Sequence, residues 1–190
     1  SGNEANEEGG GLYVQNASPT VRNVEFKGNR AYQGGAIRLT YSDPDLINIV
    51  MDGNDGRAGA GAIAYYHSNG RLRNALVINN TADGDGAAMF FDASSPRLEN
   101  ITMAGNLTTN GVGGAMNISY LSHPVLMNSI VWGNGSNPII FHTRWYGMAL
   151  TVESSDLEGG LAGIQTYDLG PVNGLGNNLD VDPVFVSPGK

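Results

Sequence analysis

The residues of this chain that could do chemistry are few and dispersed. A lyase that eliminates across a uronate needs a lysine or arginine base beside a cation that neutralises the substrate carboxylate. The 190-residue chain holds only two lysines, Lys27 and Lys190. Lys27 and Arg30 flank Asn29 and could meet an anion, although solvated surface charge is the simpler expectation. Hydrolysis of a glycosidic bond needs two carboxyl groups facing it. Asp83 and Asp85 share a glycine-rich turn, but the equivalent turns offer Asn54-Asp55 and Asn106, so no carboxylate pair recurs on one strand face. His67, His123 and His142 are too scattered for a ligand set, and the first two read as turn residues. No catalytic residue is assigned, and the balance leans against an enzyme.

Hard oxygen ligands of the type Ca2+ prefers sit in three turns, Asp52-Gly-Asn-Asp55, Asp83-Gly-Asp85 and Asp180-Val-Asp182. Asp180 and Asp182 are the best metal candidates, because Pro183 would hold their turn. Each turn is more simply a solvated acidic one, and no cofactor other than Ca2+ suggests itself. The residues best suited to binding are aromatic: Tyr66 and Phe90, accompanied by Arg38, Asp92 and Asn117, with Trp145 and Tyr146 as a second patch. Aromatic rings stack against sugar rings while polar neighbours orient hydroxyls. Whether the first five share a face depends on the elements that carry them.

Those elements repeat. Five segments align without gaps: 19–29, 44–54, 70–80, 96–106 and 124–134. Asn23, Asn48, Asn74, Asn100 and Asn128 mark one column, and Asn29, Asn54, Asn80, Asn106 and Asn134 a second, at steps of about 26 residues. A glycine-alanine landmark stands ahead of each later segment (34–37, 61–63, 86–89, 113–116), with 10–13 as its first version. Short apolar alternations separated by Gly, Asn and Pro, with no 3.6-residue stripe, call for strands rather than helices. Three strands per repeat, stacked about 4.8 Å apart, make a right-handed parallel β-helix. It has five clear coils, a degenerate sixth over 152–160 with Ser154 in the asparagine place, and a partial coil or cap over 177–190.

This register sends Tyr13, Ile37, Ile63, Met89 and Met116 inward and leaves Arg38, Ala64, Phe90 and Asn117 outward, followed on the same face by Thr40, Tyr66, Asp92 and Ser119. Asn23, Asn48, Asn74, Asn100 and Asn128 are expected to form a structural ladder, since asparagine tolerates left-handed backbone and bonds neighbouring main chain. A ladder position would hide Asn100 and Asn106 from glycosylation despite their Asn-x-Thr triplets. Residues 1–8, acidic and glycine-bearing, are expected to be flexible, with 9–190 a single domain or a fragment of a longer solenoid.

Composition narrows the classes. Glycine is abundant at 28 residues and cysteine absent, so tight turns abound and disulfide or thiolate sites are excluded. A net charge of −8 disfavours nucleic acid and anionic membrane surfaces as partners. No apolar run is long enough to insert in a bilayer.

The paired motifs FKGN (26–29) and GGAI (34–37) resemble the repeats of polymorphic outer-membrane autotransporter adhesins. The run 128–134, 154–160 and 177–185 is similar to the last coils of secreted bacterial β-helix proteins. The resemblance spans roughly 9–186. It implies an extracellular or bacterial cell-surface location and a structural or adhesive role, with an extracellular glycan or another copy of the chain as partner. Two alternatives stand beside it: a fragment of a carbohydrate-active lyase or hydrolase, and a self-associating scaffold that uses open strand edges.

Overall fold

The computed structural model describes residues 1–142 and 146–186, which form a parallel β-helix of about six coils. Three sheets run its length. The first contains six strands: Leu12–Gln15, Ile37–Thr40, Ile63–Tyr66, Met89–Asp92, Met116–Ile118 and Ile139–Phe141. It is called the GGA sheet here. The second, the long sheet, has nine strands. It begins with the eight-residue strands Thr20–Lys27, Asp45–Asp52, Arg71–Ile78 and Arg97–Ala104. Later coils divide this strand in two, as in Val125–Met127 and Ile130–Trp132. The third sheet is short: Arg30–Gln33, Asp55–Gly59, Thr81–Ala82 and Leu107–Thr108. Each strand pairs in parallel with its counterpart one coil away, for example Leu46 with Leu72 and Leu72 with Leu98.

The apolar columns meet in one continuous core. Leu46, Ile49 and Met51 of one coil are fully buried, as are Leu72 and Val77 of the next. Leu39, Tyr65, Phe91, Ile118 and Phe141 fill the opposite wall. Residues 9–12 (GGGL), not 10–13, are the first version of the landmark, because Leu12 pairs with Ile37 and Tyr13 with Arg38. Tyr13 therefore faces outward, contrary to the expected column, and Val14 takes the next inward place. Both the sixth coil and a partial seventh exist. Ser154 directly follows the strand Leu150–Glu153 in the left-handed region (φ 49°), and Val172–Leu175, earlier than the expected 177–190, pairs with that strand.

The asparagines form two ladders with different environments. Asn23, Asn48, Asn74, Asn100 and Asn128 all have φ near 50°, placing a left-handed bend within the long strand. Their side chains face solvent, where Asn48, Asn74 and Asn100 each donate to the amide oxygen one coil back at 2.8–3.1 Å. Asn100 is thus exposed, which corrects the expectation that its ladder position hides it. The interior ladder is the other column. Asn54 donates its backbone N–H and its amide to Asn80 Oδ1, both at 2.9 Å, and its second amide hydrogen to the Phe26 carbonyl. Asn80 and Asn106 repeat the pattern. A third ladder, of serines, closes the turn after the GGA sheet. Ser42, Ser68 and Ser94 each donate a backbone N–H to the hydroxyl of the next coil at 3.0–3.1 Å.

Residues 1–8 lie along the following coil. Asn3 donates to Asn29 Oδ1, and Glu4 and Glu8 bridge to Arg30 and Gln33. At the other end Phe185 reaches back over the long sheet and, with Leu76, Ile78 and Ala104, lines a cavity of about 280 Å3. Among the described residues no helix is long and apolar enough to cross a membrane.

Candidate functional site

Strand alternation sets the outward face of the GGA sheet. Arg38, Ala64, Phe90, Asn117 and Ile140 stack in register along one line, and Thr40, Tyr66 and Asp92 along the next. The structure therefore sets all five residues of the first binding set on one sheet face, although of the five only Tyr66 and Phe90 line the cavity beside it. The face is recessed rather than flat and open. Arg38 and Asn117 are buried, and Tyr66, Phe90 and Asp92 are half-buried. The cause is the glycine-rich chain leading into each strand, which folds against the face and walls it. A Cβ on Gly84 would run into the Ala58 carbonyl one coil back, so only glycine lets these walls stack main chain on main chain.

Between wall and sheet lies an open cavity of about 290 Å3. Ala64, Tyr66 and Phe90 line its sheet side, and Gly59, Gly84 and Gly111 its wall. Asp85, Asn110, His142 and Gln33 supply the polar lining. The size stands at the lower edge of ligand cavities, roughly 300–1,000 Å3. The rings of Tyr66 and Phe90 lie 5.6 Å apart at 35° to one another, giving an apolar surface about two rings wide.

Arg38 underpins this surface. Its guanidinium carbon lies 3.4 Å from the centre of the Tyr66 ring. It also donates to Gln33 Oε1 at 2.6 Å and Thr40 Oγ1 at 3.2 Å, and pairs with Glu8 Oε1 at 3.1 Å. A planar cation that stacks and is fully paired can remain buried. Arg38 is thus engaged on all sides.

The remaining charge is mostly negative. Burial holds the Asp92 carboxyl above the usual carboxylate range, an effect that His67, Arg38 and His142 partly offset. Asp85 accepts the Val112 N–H at 3.0 Å through Oδ1, while its Oδ2 lies 3.4 Å from His142 Nε2. One coil along from Phe90, both amide atoms of Asn117 are buried without a hydrogen-bond partner. An orphaned amide is costly, on the order of 1–3 kcal/mol, and marks polar capacity on this face.

The other expected residues lie elsewhere. Tyr146 is 78% exposed and contributes nothing to the cavity lining, while Trp145 falls outside the described residues. Lys27 stands between Glu25 and Asp52, and Arg30 pairs with Asp55 at 2.9 Å. Asp180 and Asp182 serve as turn acceptors, taking the N–H of Gly159 at 3.0 Å and of Val184 at 2.8 Å. Among the described residues no three His, Asp or Glu side chains gather to hold a metal ion. His67 has φ 48° and stacks on Tyr41 at 4.7 Å, as a turn residue would. Asn110 and Gln33 are cavity residues that the sequence did not single out, and His142, too scattered from the other histidines for a ligand set, joins them there. The available signal for His142 was its place directly after Phe141, which the register aligns with Ile118.

In comparisons with known proteins, the chain matches no family model, no curated protein and no solved structure at a significant level.

Proposed function

We propose that this chain is a secreted or cell-surface binding domain that holds one saccharide unit of an extracellular glycan in the recess of the GGA sheet. The observation that carries this reading is the Tyr66–Phe90 pair, which forms the floor of an open cavity of about 290 Å3 with polar sides. The C–H face of a pyranose fits two offset rings, and Asp85, Asn110 and His142 stand where hydroxyls need acceptors and donors. The likeness of FKGN and GGAI to adhesin repeats supports the location and the adhesive role. The lyase alternative is weakened because Lys27 and Arg30, the basic groups it would use, are both held in ion pairs.

The test is a glycan array followed by titration of the best glycan against the wild type and the Tyr66→Ala and Phe90→Ala variants. Binding that drops at least about tenfold in each variant, with unchanged melting, supports the reading. No binding to any glycan, or binding indifferent to both changes, refutes it.

A second reading has its own observation. Thr20–Lys27 ends the long sheet with eight residues and no strand on its outer side among the described residues. Such an edge can template a second copy. Light scattering at high concentration tests this, and a clean monomer rejects it.

A further inference from the structure

We infer that the recess selects a saccharide carrying a protonated amine, an amino sugar, over neutral and uronate sugars. This rests on the saccharide reading above and adds the charge of the ligand. Among the described residues, Asp85 lines the recess, Asp92 stands beside Tyr66 on the same sheet face, and Glu8 pairs with Arg38, so three carboxylates meet one permanent cation. That cation is already paired with Glu8, bonded to Gln33 and Thr40, and stacked on Tyr66. His142, the other basic group, lies against Asp85. Among the described residues, an incoming carboxylate would therefore meet like charge and no cation without an acidic partner. An ammonium group brings only donors, and the Asp85 and Asp92 carboxyls supply acceptors beside an aromatic ring that also attracts a cation.

Asp92 adds a signature that a neutral ligand would not give. Its carboxyl is held above the normal range by burial, so its ionised form lacks sufficient counter-charge in the free protein. A bound ammonium supplies that charge and pulls the carboxyl back down, so binding expels a proton. The groups facing Asp92 are Tyr66, Arg38, His67 and His142. Lowering the pH protonates Asp92 and removes the negative charge that would meet the ammonium. Affinity therefore rises with pH while the ligand amine stays protonated.

The experiment is calorimetric titration of the full chain at about pH 6 with three tetrasaccharides: β-1,4-linked glucosamine, its N-acetylated counterpart, and galacturonate. Repeating it in two buffers of different ionisation enthalpy counts protons released. The glucosamine oligomer should bind about tenfold or more tighter than the N-acetylated one, with proton release, and galacturonate should not bind. Asp92→Asn, checked for unchanged melting, should bring the first two within about twofold and abolish the proton release. Equal or tighter binding of the N-acetylated oligomer, or a preference that survives Asp92→Asn, overturns the amine inference while leaving the saccharide reading standing. Tightest binding of galacturonate does the same. If none of the three binds, the amine inference falls, while the saccharide reading stands or falls separately on the glycan array. The wild-type proton count stands as a test even if Asp92→Asn does not fold.

Discussion

Replacing Tyr65 with phenylalanine should stabilise this protein. The Tyr65 side chain is fully buried, and its hydroxyl has no hydrogen-bond partner. A buried, unsatisfied hydroxyl costs about 1–3 kcal/mol of desolvation that nothing returns. The ring itself is well housed, stacked on Phe91 at 5.3 Å in a column that already holds phenylalanine at 91 and 141. Phenylalanine at 65 keeps that stack and leaves a void the size of one oxygen. The net gain should be about 1 kcal/mol, or a rise of about 2–4 °C in melting temperature for a chain of this size.

A second arm comes from pH. Burial pushes the Tyr65 hydroxyl well above its ordinary value, so the folded protein keeps this proton where the unfolded chain loses it, from about pH 10 upward. The stability this contributes is complete below that pH and falls as pH rises further. Tyr65→Phe should flatten that part of the curve. Urea unfolding at neutral pH and at about pH 10.5 reads both effects. A variant less stable than wild type by more than about 1 kcal/mol would show that the hydroxyl is hydrogen-bonded, and the reasoning would fail.

The two asparagine ladders predict opposite sensitivities. Asn80→Ala removes four side-chain hydrogen bonds in the core and should cost at least about 3 kcal/mol in chemical denaturation. Asn74→Gly, in the exposed ladder, keeps the left-handed backbone at φ 54° and should stay within about 1 kcal/mol of wild type. Asp92→Asn should change the pH profile of melting. A carboxyl raised by burial favours the folded state most when protonated, and that contribution is lost as pH rises through its elevated value. The variant, which cannot ionise, should therefore gain on the wild type between acid and neutral pH, as melting curves at stepped pH would record.

The coil was legible because each repeat obeys the same local rules. Inward columns such as Leu46/Leu72/Leu98 and the steps between asparagines fix strand, bend and register without any tertiary information. Register errors arose where the pattern degenerates: three consecutive glycines at 9–11 allow a one-residue slip, which turned Tyr13 the wrong way. Choosing between the two asparagine columns needed to know which side of the bend faces inward. Both carry the same residue, and only packing distinguishes Asn23 from Asn29. The serine ladder was hidden for a related reason, since serine is common in any turn.

The site was half legible. Alternation alone gathered Arg38, Tyr66, Phe90, Asp92 and Asn117 on one face. It could not show that glycine-rich loops fold over that face and convert it from a flat surface to a recess. Those loops bring Asp85 and Asn110 to it, and the end of the Ile139–Phe141 strand brings His142, a conjunction with no sequence period. Nor did spacing indicate that Arg38 would be tied to Glu8, which lies 30 residues earlier in the chain.

The most direct test of the central claim is a backbone amide NMR titration of the 15N-labelled protein with the glucosamine tetrasaccharide. Shifts concentrated at Gly59, Ala64, Gly84, Phe90, Gly111 and His142 would place the sugar in the recess of the GGA sheet. Silence at these residues, with shifts instead around Leu76, Ile78 and Phe185 or along the open edge of Thr20–Lys27, would contradict it.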